Sequence, residues 1–197
     1  MGRPPRHDAD KLLDAAVAIV AESGPRAVTM AAVARAAGAP SGSVYHRFPD
    51  QPALLAALWL RTVRRFRAGL FEVLESGPPR EVAVAAARHV VEWSRRNTAE
   101  ARVLLAGSSA FGESEWTQQA RDELRRVNEE MFTAMAEVAR GMGTCGELGF
   151  GRFSLAVVDM PIAVVRRNLT RGDEIPEHEV VVVVEAVRDL LANGQGR

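Results

Sequence analysis

Apolar positions along the chain recur at helical spacing almost from end to end. Leu12, Ala16, Ile19 and Val20 fall at i, i+4, i+7 and i+8 and Gly24-Pro25 follows, so the pattern predicts a helix over 8–23. Thr29 is placed to cap a short second helix, and a third is expected over 41–48. Asp50 as N-cap and Pro52 in the first turn open a long fourth helix, where the missing proline N–H costs nothing. That helix carries Leu54, Leu55, Leu58, Trp59 and Val63 and should end at Ser76-Gly77-Pro78-Pro79, the clearest break in the chain.

Further helices are expected over 80–97, 98–110 and 115–140. Five glycines within 141–151 read as a flexible connection. A nearly all-apolar helix over 152–169 follows, then a last one over 176–192. The run Val180 to Val184 has strand propensity, but Val180, Val183, Val184, Val187, Leu190 and Leu191 continue it at helical spacing, opposite Glu185, Arg188 and Asp189. No stretch alternates with hairpin turn residues. The chain therefore reads as all-α with about nine helices. Pro161 should kink its own helix, because it cannot donate to the carbonyl of Val157.

One segment has the layout of a helix-turn-helix: Thr29 to Phe48. Thr29 can cap its first helix, Ala34 is small enough for a close helix crossing, and Gly38 supplies the left-handed conformation a short turn demands. Val33, Val44 and Phe48 should lock the second helix inward. Ser41, Ser43, Tyr45, His46 and Arg47 are then left outward, and hydroxyls, an aromatic and basic donors are the groups that meet phosphates and base edges in a major groove.

Over roughly its first 60 residues the chain resembles the TetR family of bacterial one-component regulators, on the run from Gly38 through Val44, Tyr45 and Phe48 to Leu54. The resemblance implies an N-terminal three-helix DNA-binding domain, 1–50, and a C-terminal helical effector-binding and dimerisation domain, 51–197. It implies a homodimer that sets paired recognition helices in successive major grooves. Gly42, Ser43 and Tyr45 would lie nearest the bases, and Thr29, Tyr45 and Arg47 near phosphates. The family commonly carries a lysine at the start of the fourth helix, where this chain has Gln51, a neutral donor. Phosphate contact would then lean on Arg47 and on the basic tail of Arg3, Arg6 and His7.

Charge sets limits on this reading. The chain holds 25 Lys and Arg against 25 Asp and Glu, a formal net charge of zero, so no global field draws it to nucleic acid. Residues 1–50 carry six basic residues against five acids. Binding should therefore be sequence-specific with few phosphate contacts. Arg61, Arg64, Arg65 and Arg67 read as a solvated or ion-paired face of the fourth helix rather than a DNA patch.

Other chemistries find little support. No P-loop lysine follows the glycines after 143. His7, His46, His89 and His178 never fall at metal-ligand spacing, and no cofactor is implied. The lone Cys145 excludes an internal disulfide. The longest apolar runs are far below the roughly 18 residues of a membrane span, and Asp8, Asp10 and Lys11 interrupt any signal sequence, so a cytoplasmic protein is expected.

An effector site would draw on aromatic and flexible apolar groups: Trp59, His89, Trp93, Phe111, Trp116, Met131 and Met135. His89 and Trp93, four residues apart, are the preferred pair. Asp159 stands alone in an apolar helix and needs a partner if buried; it would serve a ligand or the dimer. That helix is apolar nearly all round, so Val157, Met160 and Val164 with Val180, Val183, Val184, Val187 and Leu191 are the candidate dimer interface. The leading reading is a ligand-responsive homodimeric repressor of a palindromic operator, with a small apolar or aromatic effector. An activator or ligand-independent regulator is the alternative, and a helical enzyme or interaction module stands as a different class.

Overall fold

The computed structural model describes residues 6–75, 77–143 and 146–192, the first three by their backbone alone. Among them all extended regular structure is helical: α1 (Arg6–Ser23), α2 (Met30–Ala37), α3 (Ser41–Arg47), α4 (Gln51–Leu74), α5 (Pro79–Arg96), α6 (Thr98–Ala106), α7 (Gln118–Gly141), α8 (Gly146–Arg171) and α9 (Glu177–Ala192). The nine helices expected from periodicity are those found, and no strand occurs among the described residues. Cys145, Arg3 and the other undescribed tail residues lie outside this account.

Spatial proximity groups the chain into two compact units, residues up to 64 with 99–125, and residues 65–98 with those from 126 onward. The division falls inside α4 and α7. In the first unit α1 packs on α2 and α2 on α3, around Leu12, Ala16, Val28, Val33, Val44, Leu54 and Leu58, all fully buried. Each of these valines and leucines contributes about 1.5–3 kcal/mol through the water it sheds, which is why helices as short as α2 and α3 hold their places. After α6 the expected helix gives way to short 3-10 turns at Ser108–Phe111 and Glu113–Glu115.

Arginines of α4 fasten this unit. Arg61 is only 13% exposed; its Nη1 donates to the Asp10 carbonyl at 3.1 Å and its Nη2 sits 2.8 Å from Asp14 Oδ1. That Nη2 contact is coulombic rather than a well-aligned bond, since neither Nη2 nor Nε makes a hydrogen bond. Arg64 bonds Glu123 of α7. In the second unit Arg67 reaches Glu130 at 2.8 Å, and together with Arg126 it holds that carboxyl below its usual pKa. Three members of the basic cluster are thus ion-paired.

In the second unit α5 is the centre, contacting α8 and α9. Val82, Ala83, Ala86, Ala87, Val90 and Val91 give it a buried stripe. α8 begins at Gly146, six residues before the expected start: Gly149 and Gly151 are helical, and the buried Phe153 offsets the roughly 1 kcal/mol that each glycine costs a helix. Within α8 the residues Leu155–Asp159 form a π turn, closed by the Met160 N–H on the carbonyl of Leu155. Pro161 follows directly. A wide turn next to a residue without an N–H is a common way for a helix to continue past the lost bond. Continued through this turn, α8 is 26 residues long and apolar enough by composition to cross a membrane, against the expectation drawn from its separate apolar runs; the core helix of a soluble protein meets the same criterion.

Candidate functional site

The geometry of the helix-turn-helix follows from a few residues. Thr29 is extended, and its hydroxyl accepts from the Ala32 N–H at 3.1 Å, which satisfies one of the free donors at the start of α2. Gly38 ends that helix at φ 63°, with its N–H on the carbonyls of Ala34 and Arg35. A side chain there would be strained. Two residues on, Pro40 leads into α3, whose Val44 is fully buried while Phe48 closes its end with the backbone bond to Val44 at 2.8 Å. The turn and these two anchors fix the roll of α3.

That roll decides what α3 shows to solvent. Ser41, Gly42, Tyr45 and His46 are exposed, and Ser43 and Arg47 are half-exposed. Tyr45 is 58% exposed, leaving its ring and hydroxyl open to a partner. No acidic residue occurs in Ser41–Arg47, so the face carries only hydroxyls, an imidazole, a guanidinium and backbone. Thr29 is exposed beside its cap. Gln51 is different. Its amide nitrogen donates to the Val28 carbonyl at 2.9 Å, bracing the start of α4 against the residue before the α2 cap. Asp50 caps α4 through the Ala53 N–H at 2.8 Å. Of the tail, Arg3 lies outside the described residues and Arg6 only opens α1.

The candidate effector residues fall in both units. Trp59, Phe111 and Trp116 are buried in the first unit, where Trp59 and Phe111 pack at 5.5 Å and the Trp116 indole donates to the Phe111 carbonyl at 2.9 Å. In the second unit His89 and Trp93 both meet Phe66, at 5.4 and 5.2 Å between ring centroids. His89 Nε2 lies 3.1 Å from the Phe66 carbonyl, and burial lowers its pKa more than that bond raises it. All three side chains are half-buried. Met131 and Met135 line a cavity of about 280 Å³ between α7 and α8. Asp159 is exposed on the π turn and needs no buried partner.

The candidate interface residues divide likewise. Val157, Val180, Val183, Val184, Val187 and Leu191 are buried within the chain's own second unit, while Met160 and Val164 are half-buried. The stripe that periodicity selects on α9 is the one turned onto α5. The large apolar groups left exposed on α8 and α9 include Leu148 and Leu155 on the first and Val181 and Val182 on the second, the last two beside the stripe that periodicity selects. Of the cavity wall, Phe150 falls in what reads as a glycine linker, while Phe153 and Ser154 fall at the start of the helix expected after it; the three-residue spacing of the phenylalanines is the sequence signal that joins them.

In sequence, residues 12–58 match the model of bacterial regulatory proteins, tetR family. No curated protein matches the chain. Solved structures are similar in fold over nearly the whole length. The fatty acid degradation regulator FadR from Bacillus halodurans has a TM-score of 0.71 at 18% identity, over 99% of this chain and 98% of its own. A tetR-family regulatory protein from Rhodococcus RHA1 reaches 0.75 at 16%, over 95% and 98%. FadR from Bacillus subtilis, solved with stearoyl-CoA, gives 0.71 at 16%, over 95% and 99%.

Proposed function

We propose that this chain, which belongs to the TetR family of DNA-binding transcriptional regulators, works as a homodimeric repressor released from a palindromic operator by a small apolar or aromatic effector. The family is one of regulators and not of enzymes. The observation that carries the reading is the exposed face of α3: Ser41, Tyr45 and His46 stand outward on a helix whose roll is fixed by the buried Val44 and Phe48.

A recognition helix so held offers Ser41, Gly42, Ser43 and Tyr45 to base edges, while Thr29, Arg47 and the tail arginines Arg3 and Arg6 meet phosphates. Two copies read two half-sites about 34–36 Å apart, one turn of DNA or a multiple of it. With zero net charge, attraction to random DNA is weak, and the matched pair of half-sites supplies the affinity. An effector that favours a conformation with a different half-site spacing lowers operator affinity by its preference for that conformation. The Bacillus subtilis FadR structure holds stearoyl-CoA, an amphiphile whose acyl chain is apolar, which supports an apolar part in the effector of a fold of this kind. The protein works in the cytoplasm, where its operator lies.

Gel-shift titration at several salt concentrations, with the DNA upstream of its own gene and with duplexes selected from a random pool, tests this. A palindromic site bound well above random duplex is expected. No enrichment of any palindrome by the purified dimer would overturn the reading.

A further inference from the structure

The cavity between α7 and α8 has walls of one chemical kind. Met131, Phe132 and Met135 of α7 face Phe150, Phe153 and Val158 of α8, with Asn128 and Ser154 as the polar members. The rings form a run, Phe132 to Phe150 at 5.7 Å edge to face and Phe150 to Phe153 at 6.3 Å stacked. Phe132 is 62% exposed. No ionisable side chain lines the space.

We propose that this cavity binds an uncharged, largely apolar molecule about the size of a bicyclic aromatic. The proposal rests on the effector-responsive reading above and gives that effector a chemical class and a seat. Volume sets the size: about 280 Å³ holds roughly nine waters at about 30 Å³ each, at the small end of ligand pockets. Charge sets the class. A carboxylate or phosphate seated among these walls would meet no cation, and a charge drawn out of water without a partner is disfavoured. The two methionines adapt to ligand shape at little strain, and the rings accept aromatic edges and faces. Val158 belongs to the π turn, so the wall includes the one stretch of α8 whose backbone departs from α geometry. An Asn128 amide or Ser154 hydroxyl can orient a single polar atom of the guest.

N-phenyl-1-naphthylamine, dark in water and bright in apolar surroundings, is the probe. 8-Anilinonaphthalene-1-sulfonate, the same skeleton with a sulfonate, is its charged counterpart. The full chain is expected to bind one neutral probe per subunit, at least tenfold tighter than the sulfonate. Ser154→Phe fills one wall and Asn128→Phe the other, at an exposed position that tolerates a ring. Each should weaken the neutral probe at least tenfold, while Leu148→Phe, outside the cavity, leaves it unchanged. Circular dichroism shows whether each variant is folded, and either filling variant alone decides the result. Equal binding of both probes, or unaltered binding by a folded filling variant, overturns the proposal. The same titration on operator-bound protein separates the two readings: probe seated in the cavity with DNA still held sustains the cavity and sinks effector release.

Discussion

The side-chain amide of Gln51 donates to the Val28 carbonyl oxygen at 2.9 Å, tying the first residue of α4 to the residue before the α2 cap. The bond makes position 51 a brace of the helix-turn-helix. Gln51→Ala should lower stability by about 1 kcal/mol, the usual net worth of one such bond, as read from urea unfolding. Gln51→Lys exchanges the brace for a cation beside α3, and should steepen the dependence of log K on log salt by about 0.9 for each phosphate gained. An unchanged slope would show that position 51 does not face the DNA backbone.

Tyr45 lies one residue after the buried Val44 and is 58% exposed, so the fold gains little from its ring. Tyr45→Ala should change stability by no more than an exposed substitution does, about 0.5 kcal/mol, and leave the oligomeric state unchanged. Specific operator binding should fall at least tenfold. Gel shifts with operator and random duplex in parallel, beside sedimentation velocity, would expose an error: a changed oligomeric state, or an equal loss on both DNAs, would not fit base contact.

His89 introduces a dependence on pH. Burial lowers its pKa from the ordinary 6.5, outweighing the Phe66 carbonyl and the nearby Glu92 and Glu72 that favour the charged form. The unfolded chain therefore takes up the proton first, and stability rises with pH wherever the unfolded state binds more protons. The contribution is present in full above about 6.5 and is lost as pH falls through the lower folded-state value. The melting temperature should climb between pH 5 and 7.5, and His89→Gln should flatten that climb. A variant with the same slope as the parent would place the titration elsewhere.

The same imidazole explains a glycine. A Cβ on Gly69 would lie 2.7 Å from His89 Cε1, and the ring is held by the Phe66 carbonyl and the Phe66 ring. Ala normally improves a helix interior over Gly by about 1 kcal/mol. Here the overlap wins, since overpacking costs about 1–3 kcal/mol. Gly69→Ala should lower the melting temperature, and Gly69→Ala with His89→Ala should recover much of the loss. A stabilised single variant would mean that the ring moves aside freely.

What the sequence disclosed depended on how local the cause was. The helix-turn-helix was legible because Thr29, Gly38, Val44 and Phe48 act within a few residues of themselves, through caps, a turn and a four-residue spacing. The effector set was not. Trp59, Phe111 and Trp116 share a composition with Met131 and Met135 but fold into the first unit, and composition carries no information about which helix meets which. Gln51 donates to a carbonyl 23 residues away, and nothing in its neighbours announces that.

Periodicity has the same limit on α9, and there it yields a test. It selects the most apolar stripe, and Val183 on that stripe is 1% exposed, packed within its own unit, while Val182 beside it is 50% exposed. A homodimer formed through this part of the molecule would use the exposed pair Val181 and Val182 with Leu155, because a side chain already covered has no surface to give a partner. Val182→Asp places a charge that a partner would have to desolvate, so it should shift the protein toward monomer in sedimentation velocity with little change in monomer fold. Val183→Ala should do the reverse: it leaves a void in the core, costs about 2 kcal/mol, and keeps the oligomeric state. If Val182→Asp remains as dimeric as the parent at every concentration, the subunits meet on another face, and the exposed valines are ordinary surface.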